Sequence, residues 1–390
     1  MRFKRSKFIV VEIGKASSIQ LEAFLAGTLE FNSRDVLTVF SPISRAKHAV
    51  EIEDLEIVLS FSEDEWRPAP NDAVGSKAVA LANKGLLISD SEGASDLRQR
   101  EEGLRQLQWH PRAASYHFAT HLEEGGPASS LVDMEAMEKN ASKNAGRFVD
   151  RHGAPPPAFR HHEGQPFDLP TVDKDNDLYR ALVQRRTTRA FDDRPIGVEK
   201  LSVLLRYVFG YHGIYQPIDE LSILHKTSPS GGGLHPIEVY PLILRGDKLA
   251  TGLYHYDVER HRLVELSQLP LVEAEEFSTK ACRGQAYVAG ASVLFFMVAR
   301  WGRNFWKYRE SARTYSIILK DAGHLSQSFY LVAEDLGLGA FYTGAICAEP
   351  IAEALGVDIL EEGPLGVCGC GFRRPDGRAL APAFETLDRS

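Results

Sequence analysis

Residues 321–345, DAGHLSQSFYLVAEDLGLGAFYTGA, set Leu325, Phe329, Val332 and Leu336 at helical spacing, with Gly337 placed to close the helix. A glycine-containing loop, AFYTGA at 340–345, follows directly. Upstream, 293–299 is a continuous apolar run, far short of a membrane span, and with Ala291 before it predicts a central strand covered on both faces. Segments 237–244, 252–256 and 262–266 read as further strands, and 363–372 as the last one. Between Gly197 and Gly210, Leu201, Leu204, Leu205 and Val208 follow the i, i+3, i+4, i+7 pattern of a packed helix. Strands interleaved with helices predict an α/β or α+β sheet domain over 173–390.

The full length, 390 residues, exceeds the ~100–200 of one domain, so a second domain is expected N-terminal to this one. Hydrophobic residues at 44% and charged residues at 25% are ordinary for a globular protein. A net charge of -8 lacks the basic surplus that phosphate backbones require, which weighs against nucleic acid as a partner. The start is basic, but the apolar run at 8–11 is broken by Glu12 and Lys15 and predicts a strand rather than a signal peptide. Cys282, Cys347, Cys368 and Cys370 show no disulfide spacing, so a reducing, cytoplasmic setting without membrane attachment is expected. Cys368 and Cys370, two apart on one strand, face the same way and read as packing residues.

In the first hundred residues, 8–13, 35–40 and 55–61 read as strands. Residues 76–85 read as a helix closed by Gly85 in the left-handed conformation, followed by a strand at 86–89 that enters a hairpin. That pattern is common in winged-helix modules, and 1–122 is expected to be a winged-helix-like α+β module; a plain packing domain stands equally open. Ser95 is placed to cap a helix running through Leu107. His110, His117 and His121 share one helical face, but Phe118 stands where a metalloprotease helix has Glu, so an aromatic–histidine cluster is expected and no metal site. Residues 123–172 turn to Gly, Pro, Ser and charge, including Pro155, Pro156 and Pro157, and read as a linker or arm.

Three segments carry chemistry. Residues 185–191, RRTTRAF, offer forked donors and hydroxyls suited to a phosphate dianion. Residues 228–236, SPSGGGLHP, let a backbone approach a flat or anionic ligand, and are neither a Walker loop nor a dinucleotide fingerprint. Lys307, Tyr308 and Arg309 precede the long helix with Gly323 and His324 and the loop at 340–345.

Together and in this order, SPSGGGLHPIEVY (228–240), GLYHYDVERHRLVEL (252–266), WKYRESARTY (306–315) and 321–345 resemble the nitroreductase superfamily over 173–374. Within it the sequence is most similar to SagB-type peptide dehydrogenases, and WHPRAASYHF (109–118) to a group described as peptide maturation dehydrogenases. The resemblance implies a central mixed sheet flanked by helices, a homodimer, and FMN bound across its interface. It implies that Arg185, Arg186, Thr187, Arg189 and Arg373 hold the phosphate and ribityl chain, with Arg374 and Arg378 as further candidates. Ser228, Pro229, Ser230, Gly231 and Gly232 would lie along the flavin from the partner subunit, and Thr343 and Gly344 by the ring. Lys307 and Tyr308 match the pair implicated in removing a proton while hydride passes to flavin N5, and burial would make Lys307 a usable base. Gly233 and His235 depart from the Asn and Gln of simple nitroreductases. The implied function is oxidation of a residue or azoline ring in a ribosomally made precursor peptide, alongside other peptide-modifying enzymes. The alternatives are a stand-alone NAD(P)H-dependent nitro or quinone reductase and a non-catalytic peptide-binding scaffold. The N-terminal module would grip the leader peptide and be separable from the flavin domain.

Overall fold

The computed structural model describes residues 1–19, 31–120, 146–147, 149–160, 162–165, 167–170, 174–219, 221–309 and 311–374. His121, Arg378 and residues 123–145 of the expected linker therefore lie outside the described residues.

The N-terminal part runs β1 (Arg2–Arg5), β2 (Val10–Ile19), β3 (Phe31–Ser41), β4 (Ala46–Val50), α1 (Ile52–Ser60), β5 (Arg67–Pro68), α2 (Asp72–Asn83), β6 (Leu87–Ser89), α3 (Ser95–Gln106) and α4 (Pro111–Ala119). Two antiparallel sheets, ordered β5-β1-β6 and β2-β3-β4, carry it. Helix α2 begins where the Asn71 side chain accepts from Val74 N at 2.9 Å, and Gly85 beyond it has φ +70°. The strand after it pairs with β1 rather than entering a hairpin; the long hairpin is β2–β3. Residues 55–61 are not a strand. Glu51 and Asp54 form a reciprocal cap that starts α1, and Val58 and Phe61, three apart, enter a core with Phe3, Leu81 and Leu87. A β-rich composition is overridden there by the cap and by burial at helical spacing.

The C-terminal part runs α5 (Asp177–Gln184), α6 (Val198–Leu204), β7 (Gly213–Ile218), β8 (Leu221–His225), β9 (Ile237–Ile243), β10 (Gly252–Asp257), β11 (Arg262–Gln268), α7 (Leu271–Ala281), β12 (Val293–Arg300), α8 (Trp301–Tyr308), α9 (Arg313–Asp335), β13 (Gly339–Thr343), α10 (Ala348–Leu355) and β14 (Glu362–Gly371). A six-stranded sheet is ordered β11-β10-β9-β12-β14-β13. Its strand pairings are all antiparallel; the parallel component of the expected mixed sheet is confined to isolated bridges at Thr187–Ala340 and Ile196–Gly246. Strand β12 lies inside the sheet, as its unbroken apolar run predicts. Val293, Phe295 and Met297 enter a core with α6 and α9, while Leu294, Phe296 and Val298 enter another with α7 and α10. Each of these buried side chains contributes roughly 1.5–3 kcal/mol of transfer free energy. Cys368 and Cys370 both face the first core, and burial pushes both thiols up, so they pack rather than react.

A further core joins the halves: Phe8, Ile43, Ile88, Leu104, Trp109 and Phe118 pack with Trp301, Phe305, Tyr315, Ile318 and Ile359. Local sequence patterning gives no sign of this shared core, because it does not record which apolar faces meet across the chain. Among the described residues, no helix is long and apolar enough to cross a membrane.

Candidate active site

The basic segment leaves α5 at Arg185 and runs beside β13, with Thr188 N donating to Ala340 O at 2.8 Å. Phe191 bridges to Arg373 just beyond β14. The backbone thereby gathers Arg185, Thr187, Arg189 and Arg373 at one end of the sheet. Two tyrosines organise them: the Arg185 guanidinium lies 5.3 Å from the Tyr330 ring, and Arg189 lies 5.5 Å from Tyr287. The Thr187 and Tyr330 hydroxyls are 3.2 Å apart. Arg373 pairs with Glu334. Arg186 differs. Its Nη1 turns back onto the end of α5, donating to Val183 O at 2.6 Å and Arg185 O at 2.9 Å. The partly exposed forks of Arg185, Arg189 and Arg373, with the Thr187 hydroxyl, make a donor set that fits an anionic phosphate. Beside them, Thr343 Oγ1 receives Gln285 Nε2 at 3.1 Å and the Ala345 N–H at 3.1 Å, leaving Gly344 exposed.

The glycine loop is held by one face of α9. Asp321 Oδ2 accepts from Ser230 Oγ at 2.6 Å and Oδ1 from Gly231 N at 3.1 Å. His324 Nδ1 lies 3.1 Å from Pro229 O, and the Ser228 and Ser328 hydroxyls are 2.7 Å apart. Ser230 Oγ also receives the His235 N–H at 2.9 Å. The sequence marks Asp321, His324 and Ser328 as loop partners only through their spacing of three and four residues beside the apolar stripe of the same helix.

Lys307 and Tyr308, at the end of α8, meet this loop. Lys307 Nζ is 3.5 Å from Gly232 O, and a methyl group at Gly232 would lie 2.8 Å from both Lys307 Nζ and the Tyr308 hydroxyl. A methyl group at Gly231 would lie 2.1 Å from Ile317 Cγ2. The glycines are thus required by close approach of the chain's own side chains, and Gly232 and Gly233 also hold φ near +70°. Lys307 is exposed in the single chain, contrary to the expected burial. The enclosed lysine is Lys226, whose Nζ donates to Phe209 O at 2.8 Å and which lines a cleft beneath the loop with Ser228, Ser230, His235 and Asp321. Burial, against the attraction of Glu238, lowers Lys226 to about 8; burial and the Lys226 charge lower His235 to about 4. Burial raises Asp321, opposed by its bonds to Ser230 and Gly231.

Among the described residues, no group of three His, Cys, Asp or Glu side chains is placed to hold a metal ion. His110 instead caps α4 by accepting from Arg112 N at 3.1 Å, and His117 is buried 2.9 Å from the Tyr315 hydroxyl.

The Trifolitoxin-processing protein TfxB of Rhizobium leguminosarum bv. trifolii is 26% identical over 303 residues, covering 74% of this chain and 76% of that protein. A solved E. coli microcin synthetase complex with truncated pro-peptide bound aligns at 18% identity and a TM-score of 0.42, over 63% of this chain and 98% of that one. A candidate nitroreductase of Methanocaldococcus jannaschii is 30% identical over 174 residues, 45% of this chain and 81% of that protein. The nitroreductase family model matches residues 182–372, which span the basic segment, the glycine loop and the sheet end that gathers the arginines. The chain belongs to the nitroreductase family.

Proposed function

We propose that this chain is an FMN-dependent dehydrogenase of the SagB type, oxidising a residue or azoline ring in a ribosomally made precursor peptide. The observation that carries this reading is the meeting of Lys307 and Tyr308 with the glycine loop at Gly232. The similarity to the Trifolitoxin-processing protein TfxB supports a peptide substrate. In this reading Arg185, Thr187, Arg189 and Arg373 hold the FMN phosphate, with Arg186 a lesser contributor. Thr343 and Gly344 lie by the ring, and Ser228, Pro229, Ser230, Gly231 and Gly232 approach it from a partner subunit. Leu178, Tyr179, Leu182 and Val183, all exposed on α5, suit such a homodimer. The winged-helix-like part, 1–122, grips the leader peptide, and the work is cytoplasmic and shared with other modifying enzymes.

Bound FMN would supply the two-electron hydride acceptor. The chain's own residues handle the proton. Lys307 takes it from the carbon beside the substrate carbonyl, and the Tyr308 hydroxyl, packed at the same glycine, orients that exchange. Incubation with a precursor peptide encoded nearby, followed by mass spectrometry, tests the reading. A loss of two hydrogens at a defined residue is expected. An unaltered peptide, with rapid NAD(P)H-driven reduction of quinones instead, would overturn it.

A further inference from the structure

We infer that Trp109 and His117 of the N-terminal part are positioning residues for Lys307 and Tyr308, acting through the two helices that flank the pair. The inference rests on the proposed role of Lys307 and Tyr308 for its kinetic consequence, but not for its structural one.

Helix α8 has 8 residues, too few to hold an orientation by itself. Its last turn bears Lys307 and Tyr308 against the glycine loop, and its buried face is Trp301, Asn304 and Phe305. Trp301 is fixed from its own domain by Nε1 donating to Ile359 O at 3.2 Å. The other support comes from the N-terminal part. Trp109 meets Phe305 edge-on at 4.6 Å and Trp301 at 5.4 Å, and His117 meets Trp301 at 4.8 Å. Leu107 closes on the same helix, since a methyl group at Gly302 would lie 3.2 Å from its Cδ2.

The same segment also holds the next helix. His117 Nδ1 is 2.9 Å from the Tyr315 hydroxyl in the first turn of α9, and Tyr116 packs edge-on against the Tyr315 ring at 5.9 Å. Burial pushes the Tyr315 phenol up, so the hydroxyl stays protonated. Residues 109–118 therefore touch both α8 and α9, while the glycine loop lies against Lys307 and Tyr308. Loss of the aromatic contacts would let α8 shift within that sandwich. A displacement of about 1 Å at reacting groups can cost on the order of 10²-fold in rate.

The test uses the full-length, flavin-loaded protein with 3-fluorotyrosine at position 308, in Trp109→Leu and Trp109→Phe backgrounds. Trp109→Leu is expected to move the fluorine resonance and slow peptide-driven flavin reduction about 10–10²-fold, with flavin content unchanged. Trp109→Phe, which keeps an aromatic edge, is expected to restore both. If Trp109→Leu does not fold, His117→Phe and Tyr315→Phe each keep an aromatic ring, remove the bond between the two, and must move the resonance. An unmoved resonance, or rate and flavin content falling in equal proportion, overturns the inference. If the parent protein oxidises no peptide while the resonance still moves and recovers, the positioning stands and the proposed function fails.

Discussion

Two lysines near the glycine loop divide the roles that one was expected to combine. Lys307 reaches Gly232 from an exposed position, whereas Lys226 is enclosed beneath the loop and lowered to about 8 by burial. Removing the Lys307 amine or the Tyr308 hydroxyl should leave flavin content unchanged, because the arginine cluster lies elsewhere. Lys307→Ala or Tyr308→Phe should slow flavin reduction by peptide ~10²–10⁴-fold, measured by anaerobic stopped-flow. For Lys226 the unfolded chain keeps its proton to about 10.5 and the folded chain releases it near 8. Stability then rises with pH between these values and falls as pH drops through them. Urea midpoints measured from pH 7.5 to 10.5 should show that rise, and Lys226→Met should flatten it. Among the arginines, Arg186 is committed to carbonyls of its own helix end. Arg185→Ala and Arg189→Ala should each weaken FMN retention by ~1.5–3 kcal/mol, the worth of a hydrogen bond to a charged group. Arg186→Ala should cost clearly less, and equilibrium dialysis of FMN separates the two cases.

Helix α9 is the element on which the site is organised. Asp321, His324 and Ser328 grip the glycine loop, and Tyr330 and Glu334, further along, engage Arg185, Thr187 and Arg373. At 23 residues the helix extends about 34 Å, long enough to carry the glycine loop and the arginine cluster at separate places along it. The loop fits against α8 and α9 with no room for a methyl group at Gly231 or Gly232. Gly232→Ala adds a side chain at φ +70° and beside Lys307 and Tyr308. It should cost ~1–3 kcal/mol through overpacking and displace the pair. Turnover should fall while the arginine end keeps its phosphate affinity; thermal unfolding and FMN titration on the same variant check both halves.

At the scale of the molecule, the N-terminal part is packed into the flavin-type domain rather than strung from it. Trp301 and Phe305 are 0% and 1% exposed, and Trp109 and His117 pack against them. A chain beginning near residue 123 would uncover these rings with Ile318 and Ile359, a contiguous apolar face that favours aggregation. Such a truncated protein should be largely insoluble, or bind a hydrophobic dye strongly; a soluble, flavin-loaded fragment would show that the shared core is dispensable.

The sequence by itself determined the elements whose burial repeats along the chain. The unbroken run of β12 reads as an inner strand because both faces are buried, and the α9 stripe ends at Gly337, which holds φ +72°. The basic segment, the glycine loop and the Lys307–Tyr308 pair each read alone as a charged helix end or a loop, and only their resemblance, in that order, to the nitroreductase superfamily marked them as a set. Residues 55–61 were not, since strand and helix compositions overlap in short apolar runs and the cap at Glu51 and Asp54 decided between them. Only the tertiary structure decided which distant residues meet: Tyr330 with Thr187 is 143 residues removed, and Tyr315 with His117 is 198. Contacts of that separation leave no periodic mark. They arise when packed sheets and helices bring apolar faces together, so the partners of Lys307, and the core that holds it in place, appear only once the chain has folded.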